Sequence, residues 1–264
     1  MPVISCLMVT QPARFRFAEQ AIADFAAQTH SERELVVVHD GDAAYDTTMS
    51  LLAGTLDGGL VRVVRADAGQ TLGALRNAAI TAAAGDFVCQ WDDDDRYHPQ
   101  RLALQWQALQ DARADFCFLS DQLHWFPERG ELFWDDWDGE PYPMNLIQGS
   151  LLGRRERMPR YPEIARGEDT GAVLDILRRG EKVVRLRDAG WCYVYVYHGG
   201  NVWSADHHLA ISRAKAFSMA RLLQREAMLR QRLAEYRPGF GRVRMPHASG
   251  ELLMQETSGH QVSR

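Results

Sequence analysis

The first 120 residues alternate between two kinds of segment, and this alternation constrains the fold more than any other feature of the chain. Short runs of strand length, nearly all apolar, occur at 2–10 (PVISCLMVT), 34–39 (ELVVVH), 60–65 (LVRVVR), 86–91 (DFVCQW) and 115–120 (DFCFLS). Helical segments lie between them. Residues 14–28 place Ala18, Ala21, Ile22 and Phe25 on one face, a helical patch covers 45–53, 71–84 carries Leu72, Leu75 and Ala79 in register, and 99–112 has Pro99 in its first turn. Strands with few polar residues need cover on both faces, and an intervening helix carries the chain back across the sheet. The pattern predicts an α/β fold, a mostly parallel sheet with helices on both faces. Ligands of such sheets bind beyond the carboxyl ends of the strands. Thr10, Asp40, Asp42 and the four aspartates 92–95 all fall just past a strand end, so they are expected along one edge.

The second half is patterned differently. Residues 123–136 read as a hairpin turning over 127–130, 138–143 as loop, and 145–156 as containing an apolar strand. GEDTGAVLDILRRG (167–180) reads as a short helix, with acids in its first turn, Val173, Ile176 and Leu177 on one face, and Gly180 as its stop. An aromatic strand over 191–201 ends in His198, and 206–236 reads as one long helix. The chain is expected to form one domain over 1–237, with halves at 1–121 and 122–204, a C-terminal helix over 205–237, and a loose polar tail over 238–264.

Composition narrows the function classes. A chain of 264 residues, 46% hydrophobic and 25% charged, can bury a large core. Its formal net charge is −5 without any block of Lys or Arg, which argues against nucleic acid as a partner. Cys6, Cys89, Cys117 and Cys192 form no C-x-x-C pair and read as core hydrophobes. The N-terminus lacks the basic start of a secretion signal, and no stretch approaches the ~20 apolar residues of a membrane span. The cytoplasm is the expected compartment, with a peripheral place at the inner membrane face left open.

Four adjacent carboxylates are an electrostatic cost, on the order of 2–3 kcal/mol per pair at ~6 Å and an effective dielectric near 20. Acidic runs are commonly solvated turns. This one directly follows a buried-looking strand and precedes RYHP and a helix, which makes it a tight turn at the ligand edge. In extended chain, Asp92 and Asp94 face one way and Asp93 and Asp95 the other. Two carboxylates on one face suit a hard divalent cation, Mg²⁺ or Mn²⁺, of the kind that also grips phosphates.

Together these segments resemble the family 2 glycosyltransferases. GDFVCQWDDDDRYHPQRL resembles the family segment with a D-x-D or D-x-D-D motif and a His/Pro-initiated helix. VISCLMVT resembles the first strand, ERELVVVHDGD the second with its acidic end, and GQTLGALRNAAITAAAGDF the segment with an Arg-Asn pair. RGEDTG resembles the Glu-Asp motif near the acceptor, and YHGGNVW a late strand with a His; the likeness spans roughly 3–204. Three positions depart from the pattern: His39 replaces the first acid of the second strand, and Thr10-Gln11 replaces Tyr-Asn.

The resemblance implies a GT-A fold, a Rossmann-like sheet with a smaller mixed β acceptor region. It implies metal-dependent transfer of a sugar, with inversion, from a UDP- or GDP-linked donor to a hydroxyl of a saccharide or lipid-linked acceptor, in cell-surface polysaccharide or glycoconjugate synthesis. Asp92, Asp93 and Asp95 are grouped with the nucleotide-sugar-binding residues: Asp92 would contact the ribose or a metal-bound water, Asp95 would orient the donor sugar, and Asp93 would bind the donor or face solvent, while Asp94 would ligate the metal. Thr10 and Asp40 would serve the nucleotide. Asp169 would be the general base with Glu168 orienting it, although acids in a first helical turn are also favoured by the helix dipole. His198 is either a metal ligand, which would favour Mn²⁺, or a structural histidine. Arg76 is either a nucleotide contact or a helix-surface arginine. Trp134 and Trp137 would form the acceptor rim, with Trp125 in the core and Gln148 or Ser150 reaching an acceptor hydroxyl. The long helix, with Ala216, Ala220, Leu223 and Ala227 on one face, would cover the core, pair with a second subunit, or touch an anionic membrane. Two rival functions are a nucleotidyltransferase, for which the expected Gly-rich basic loop after Thr10 is missing, and an inactive sugar- or nucleotide-binding scaffold, against which the acids at 92–95 and 168–169 stand.

Overall fold

A computed structural model describes residues 1–55, 60–164 and 166–254. Through the first half, strands and helices follow the expected alternation: β1 (Ile4–Thr10), α1 (Phe15–Ala26), β2 (Arg33–His39), α2 (Ala43–Gly54), β3 (Val61–Arg65), α3 (Leu72–Ala82), β4 (Phe87–Gln90), β5 (Arg96–Tyr97), α4 (Arg101–Ala112) and β6 (Phe116–Leu119). Pro99 lies just outside α4, whose N-cap is Gln100. The second half contributes β7 (Asp121–Phe126), β8 (Glu131–Asp136), β9 (Ile147–Arg154), α5 (Glu168–Arg178), β10 (Val183–Leu186) and β11 (Tyr193–Val196). The chain closes with α6 (Ala205–Lys215), α7 (Met219–Leu233), β12 (Val243–His247) and β13 (Gly250–Met254).

The main sheet has the order β10-β6-β9-β4-β1-β2-β3. β1 pairs parallel with β2 and β4, β2 with β3, and β6 with β10, while β9 enters antiparallel between β4 and β6. Side chains alternate across this sheet with period two. Cys6, Met8, Val37, Cys89 and Cys117 point to a core shared with α1, α2 and α4. Their neighbours Leu7, Val36, Val38 and Val88 meet Leu75 and Ala79 of α3, and Phe116 and Phe118 meet Val173 and Ile176 of α5. Both faces are thus buried, which is why these strands carry few polar residues. The four cysteines are buried and unpaired.

A second sheet, β13-β12-β8-β7-β11-β5, is mixed in direction. The β7–β8 hairpin turns over 127–130, with Gly130 in the left-handed region. Two expectations fail here. The single helix expected over 206–236 is broken at 216–218. Phe217 donates its backbone N–H to the Trp134 carbonyl at 2.8 Å and stacks its ring on Trp134 at 4.8 Å, and Ser218 caps α7. An edge contact and a buried ring outweigh helical continuity. α7 then buries Leu222, Leu229 and Leu233 against the main core, which is the core-covering reading, while Leu223 stays exposed. The segment after Pro238 is not a loose tail as far as residue 254. β12 and β13 form a hairpin that joins the sheet at β8, burying Val243, Met245, Leu252 and Met254. The last ten residues lie outside the described residues. Among the described residues, no helix is long and apolar enough to cross a membrane.

Phe217 is fully buried and fixes the break between α6 and α7. Phe217→Ala is expected to cost about 3–5 kcal/mol, the usual penalty for emptying a buried aromatic site. Urea denaturation of the two proteins measures it.

Candidate active site

The carboxyl ends of β1 and β4 open on a cavity of about 460 Å³ lined by Asp92 to Asp95, Arg14 and Arg76, with Glu168 and Asp169 of α5 on its wall. β4 ends at Gln90. The Trp91 backbone N–H still reaches the Leu7 carbonyl at 3.1 Å, after which the chain turns through 93–95 into β5. The aspartates of this turn differ in their sets of partners, with Arg14 shared by Asp93 and Asp94, so the four are chemically distinct.

Asp92 accepts from Arg76 Nη2 and from Gln90 Nε2, both at 2.9 Å. Asp93 accepts from Arg14 Nη1 at 2.8 Å on Oδ1, while its buried Oδ2 has no partner. Burial, and secondarily the charge of Asp94, push the Asp93 carboxyl up to about 7. Asp94 Oδ2 lies 3.0 Å from Arg14 Nη1 and 3.0 Å from His198 Nε2. Burial raises the Asp94 carboxyl, but the His198 hydrogen bond and the Arg14 charge outweigh it and hold it below its ordinary value. Asp95 accepts from the Tyr193 hydroxyl at 2.6 Å and from the Val196 backbone N–H at 3.0 Å. Burial, then Asp94 and Asp92, push its carboxyl well above the ordinary range.

One expectation for the run is corrected. Asp93 does not face solvent, because the turn folds it inward onto Arg14 and leaves it only 2% exposed. Asp95 has both oxygens taken up by β11, so its visible work is to hold that strand against the turn. Arg14 was not anticipated. Its only sequence signal is a basic side chain in QPAR, directly after the carboxyl end of β1.

Arg76 is buried, which removes the helix-surface alternative. Its Nε donates to Glu168 Oε1 and its Nη2 to Asp92, both at 2.9 Å, so one guanidinium joins the acid turn to the first turn of α5. Burial alone would lower the Arg76 pKa, but these carboxylates raise it. Glu168 is buried, which raises its carboxyl despite the arginine. The neighbouring Asn77 clamps the segment leading to α5, donating to the Tyr161 carbonyl at 2.9 Å and accepting its N–H at 2.8 Å. Close packing supports this clamp: a Cβ on Gly73 would overlap the Pro162 carbonyl. Asp169 is half-buried and accepts the Thr170 N–H at 2.7 Å.

A second cavity of about 290 Å³ shares Asp92, Arg76, Gln148 and Asp169 with the first and is lined further by Trp137 and Met144. Gln148 accepts from the Thr170 hydroxyl at 2.9 Å, and the Trp137 Nε1 has no partner. Trp134 and Ser150, expected here, are fully buried elsewhere. Trp134 stacks on Phe217 and donates to Asp121 at 2.6 Å. Ser150 accepts the Leu119 N–H at 2.8 Å at the irregularity between β6 and β9. Trp125 is half-buried against Phe240. Thr10 and Asp40 are at the ends of β1 and β2 but are not among the residues lining the larger cavity: the Thr10 hydroxyl is 3.3 Å from that of Tyr45, and Asp40 accepts the Gly69 N–H at 3.2 Å.

The metal reading can be tested on the donor set. Among the described residues, no group of three or more His, Cys, Asp or Glu side chains is arranged to hold a metal ion. The pair Asp94 Oδ2 and His198 Nε2 is separated by 3.0 Å. Two ligands at right angles with bonds of about 2.1 Å stand about 3.0 Å apart, so this pair matches one edge of an octahedral site. Divalent ions in nucleotide enzymes commonly take only one or two protein ligands, the rest coming from phosphate and water. The Gly200 N–H approaches His198 Nδ1 at 3.3 Å, which places the ring proton on Nε2; ligation through Nε2 would require that proton to move to Nδ1 and the Gly200 contact to open. The residues fit a divalent ion completed by a substrate.

The parallel sheet with one antiparallel insertion, the attached mixed sheet, and an acid turn at the cavity edge are the architecture of the GT-A fold. The model of the family "Glycosyl transferase family 2" matches residues 11–148, more than half of the chain, and the chain belongs to that family. The Escherichia coli (strain K12) glycosyl transferase WcaA, named for colanic acid biosynthesis, is 29% identical over 103 residues, 39% of this chain and 36% of its own length. A Nostoc glycosyltransferase, alr2836, is 36% identical over 89 residues, 33% of this chain and 27% of its own. The match thus spans about a third of these curated relatives. Staphylococcus aureus TarS (residues 1–349) superposes with a TM-score of 0.59 at 15% identity, over 88% of this chain and 79% of its own. The mannosyltransferase PcManGT from Pyrobaculum calidifontis, in complex with GDP-Man and Mn²⁺, gives 0.59 at 16% identity over 87% and 70%.

Replacing Arg76 with Met leaves buried Glu168 without its charge partner and is expected to cost about 3–5 kcal/mol. The double variant with Glu168→Gln should recover part of that loss, and a double-mutant cycle in urea measures how much.

Proposed function

We propose that this glycosyltransferase works with a divalent metal, Mn²⁺ or Mg²⁺, and transfers a sugar with inversion from a UDP- or GDP-linked donor to a hydroxyl of a saccharide or lipid-linked acceptor. One observation carries the reading: Asp94, paired with His198, lines the same cavity as Asp169. Neighbours of the same fold hold UDP, UDP-GlcNAc, or GDP-Man with Mn²⁺, which supports a nucleoside-diphosphate sugar as donor. A role in cell-surface polysaccharide synthesis draws on the name of the colanic acid relative.

The donor diphosphate is assigned to the Asp94–His198 side of the cavity. A bound metal would supply positive charge to the diphosphate as it leaves. Asp92 takes Arg76 on one oxygen and Gln90 on the other, and keeps a second lone pair on each for the ribose or metal-bound water. The acceptor is assigned to the second cavity, against Trp137 and Gln148. Asp169 is the general base: it takes the proton of the attacking hydroxyl, and attack opposite the leaving diphosphate inverts the anomeric centre. Glu168, fixed by Arg76, holds the first turn of α5 so that Asp169 stays at the junction of the two cavities.

Asp169→Asn is expected to lower turnover by about 10²–10⁴-fold, the usual range for a lost general base, while nucleoside-diphosphate affinity stays near that of the parent. Steady-state sugar transfer and a binding titration test both halves; a variant that keeps most of its turnover removes Asp169 from the role. UDP or GDP should raise the melting temperature of the parent protein, and Mn²⁺ should increase the shift. Asp94→Asn should abolish the metal-dependent part. A protein that neither nucleotide stabilises, with or without Mn²⁺, is not using this donor class.

A further inference from the structure

The cation that relieves the acid turn in this structure is a side chain, and it stands on the oxygen a metal would need. Arg14 Nη1 is 2.8 Å from Asp93 Oδ1 and 3.0 Å from Asp94 Oδ2. That same Asp94 oxygen is the one 3.0 Å from His198 Nε2. A dication bound between Asp94 and His198 would meet the guanidinium at close range, with like charge and little solvent to screen it. The metal and Arg14 in its present position therefore compete for this oxygen.

Arg14 is placed to move. It ends the short 3-10 turn Pro12–Arg14 beyond β1, its side chain keeps 28% of its exposure, and it lines the cavity assigned to the donor. Asp93 is buried at the cavity wall and can hold one end of the guanidinium while Asp94 is released. The remaining N–H groups then face a cavity whose incoming ligand carries a diphosphate, the planar anion contact that arginine makes best.

We propose that Arg14 is an internal placeholder for the metal: it occupies Asp94 in the free protein and transfers its contact to the donor diphosphate when metal and nucleotide bind together. The proposal rests on the metal-assisted donor reading above. It predicts that the metal binds weakly to the free protein, and that nucleoside diphosphate strengthens metal binding by removing Arg14 from Asp94. By linkage the metal strengthens nucleotide binding by the same factor.

The test uses the full chain and the variant Arg14→Gln, with Mn²⁺ binding followed by the electron paramagnetic resonance of the free ion, with and without UDP or GDP. The variant should bind Mn²⁺ alone at least tenfold more tightly than the parent, because Asp94 is no longer occupied by a cation. It should bind nucleoside diphosphate without metal at least fivefold more weakly, and the enhancement of Mn²⁺ binding by nucleotide should shrink. A merely structural arginine would give the opposite sign for the metal. Equal or weaker binding of Mn²⁺ alone by the variant overturns the placeholder role, while binding by both proteins keeps the donor reading. Absence of Mn²⁺ binding by the parent even with nucleotide overturns both. Arg14→Met, which retains the aliphatic stem, gives the same comparison if the glutamine variant does not fold.

Discussion

Four consecutive carboxylates at the edge of a parallel sheet set the terms for much of what surrounds them. They are relieved by several elements: Asp92 by Arg76 of α3, Asp93 and Asp94 by Arg14 beyond β1, Asp94 also by His198 beyond β11, and Asp95 by Tyr193 and the backbone of β11. Segments as far apart as residues 14 and 198 are tied to one turn of the chain. The charge that would be a liability in isolation becomes a hub, because every partner is bound at hydrogen-bonding distance within a partly desolvated cavity.

The second tie runs through Arg76. Its guanidinium bridges Asp92 and Glu168, and so links the acid turn with the helix that carries Asp169. Asn77, one residue on, fastens the preceding loop to α3 through two backbone bonds of Tyr161. An adjacent Arg-Asn pair on one helix thereby holds the acid turn and the approach to α5 in place through buried hydrogen bonds, which are costly to break.

How far the sequence could be read depended on the range of the interaction involved. The β7–β8 hairpin and α5 follow from local signals: a Pro-to-Gly turn, acids in a first turn, a glycine stop. Trp134 misled because Asp135 and Asp136 beside it suggest an exposed stretch, yet Asp135 is itself buried with His124 and Ser212. Local polarity does not report burial when a polar neighbour finds a distant partner. The break at Phe217 is hidden for the same reason, since the ring that stacks on it and the carbonyl that accepts its N–H both belong to residue 134. In 243–254 the alternation of Val243, Met245, Leu252 and Met254 was available, but the surrounding polar residues obscured it.

The amino-acid sequence by itself determined the layered α/β architecture, the edge of the sheet on which the polar residues gather, and the family, because these rest on periodicity and on short motifs whose order along the chain carries meaning. Only the tertiary structure decided which carboxylate meets which cation, that Asp93 is buried and Asp95 is taken up by β11, that Ser150 and Trp134 belong to the core, and that Arg14 stands on Asp94. Those outcomes depend on contacts between residues tens to more than a hundred positions apart. Pairings of that span are set by how sheets and helices pack, and no local pattern encodes them.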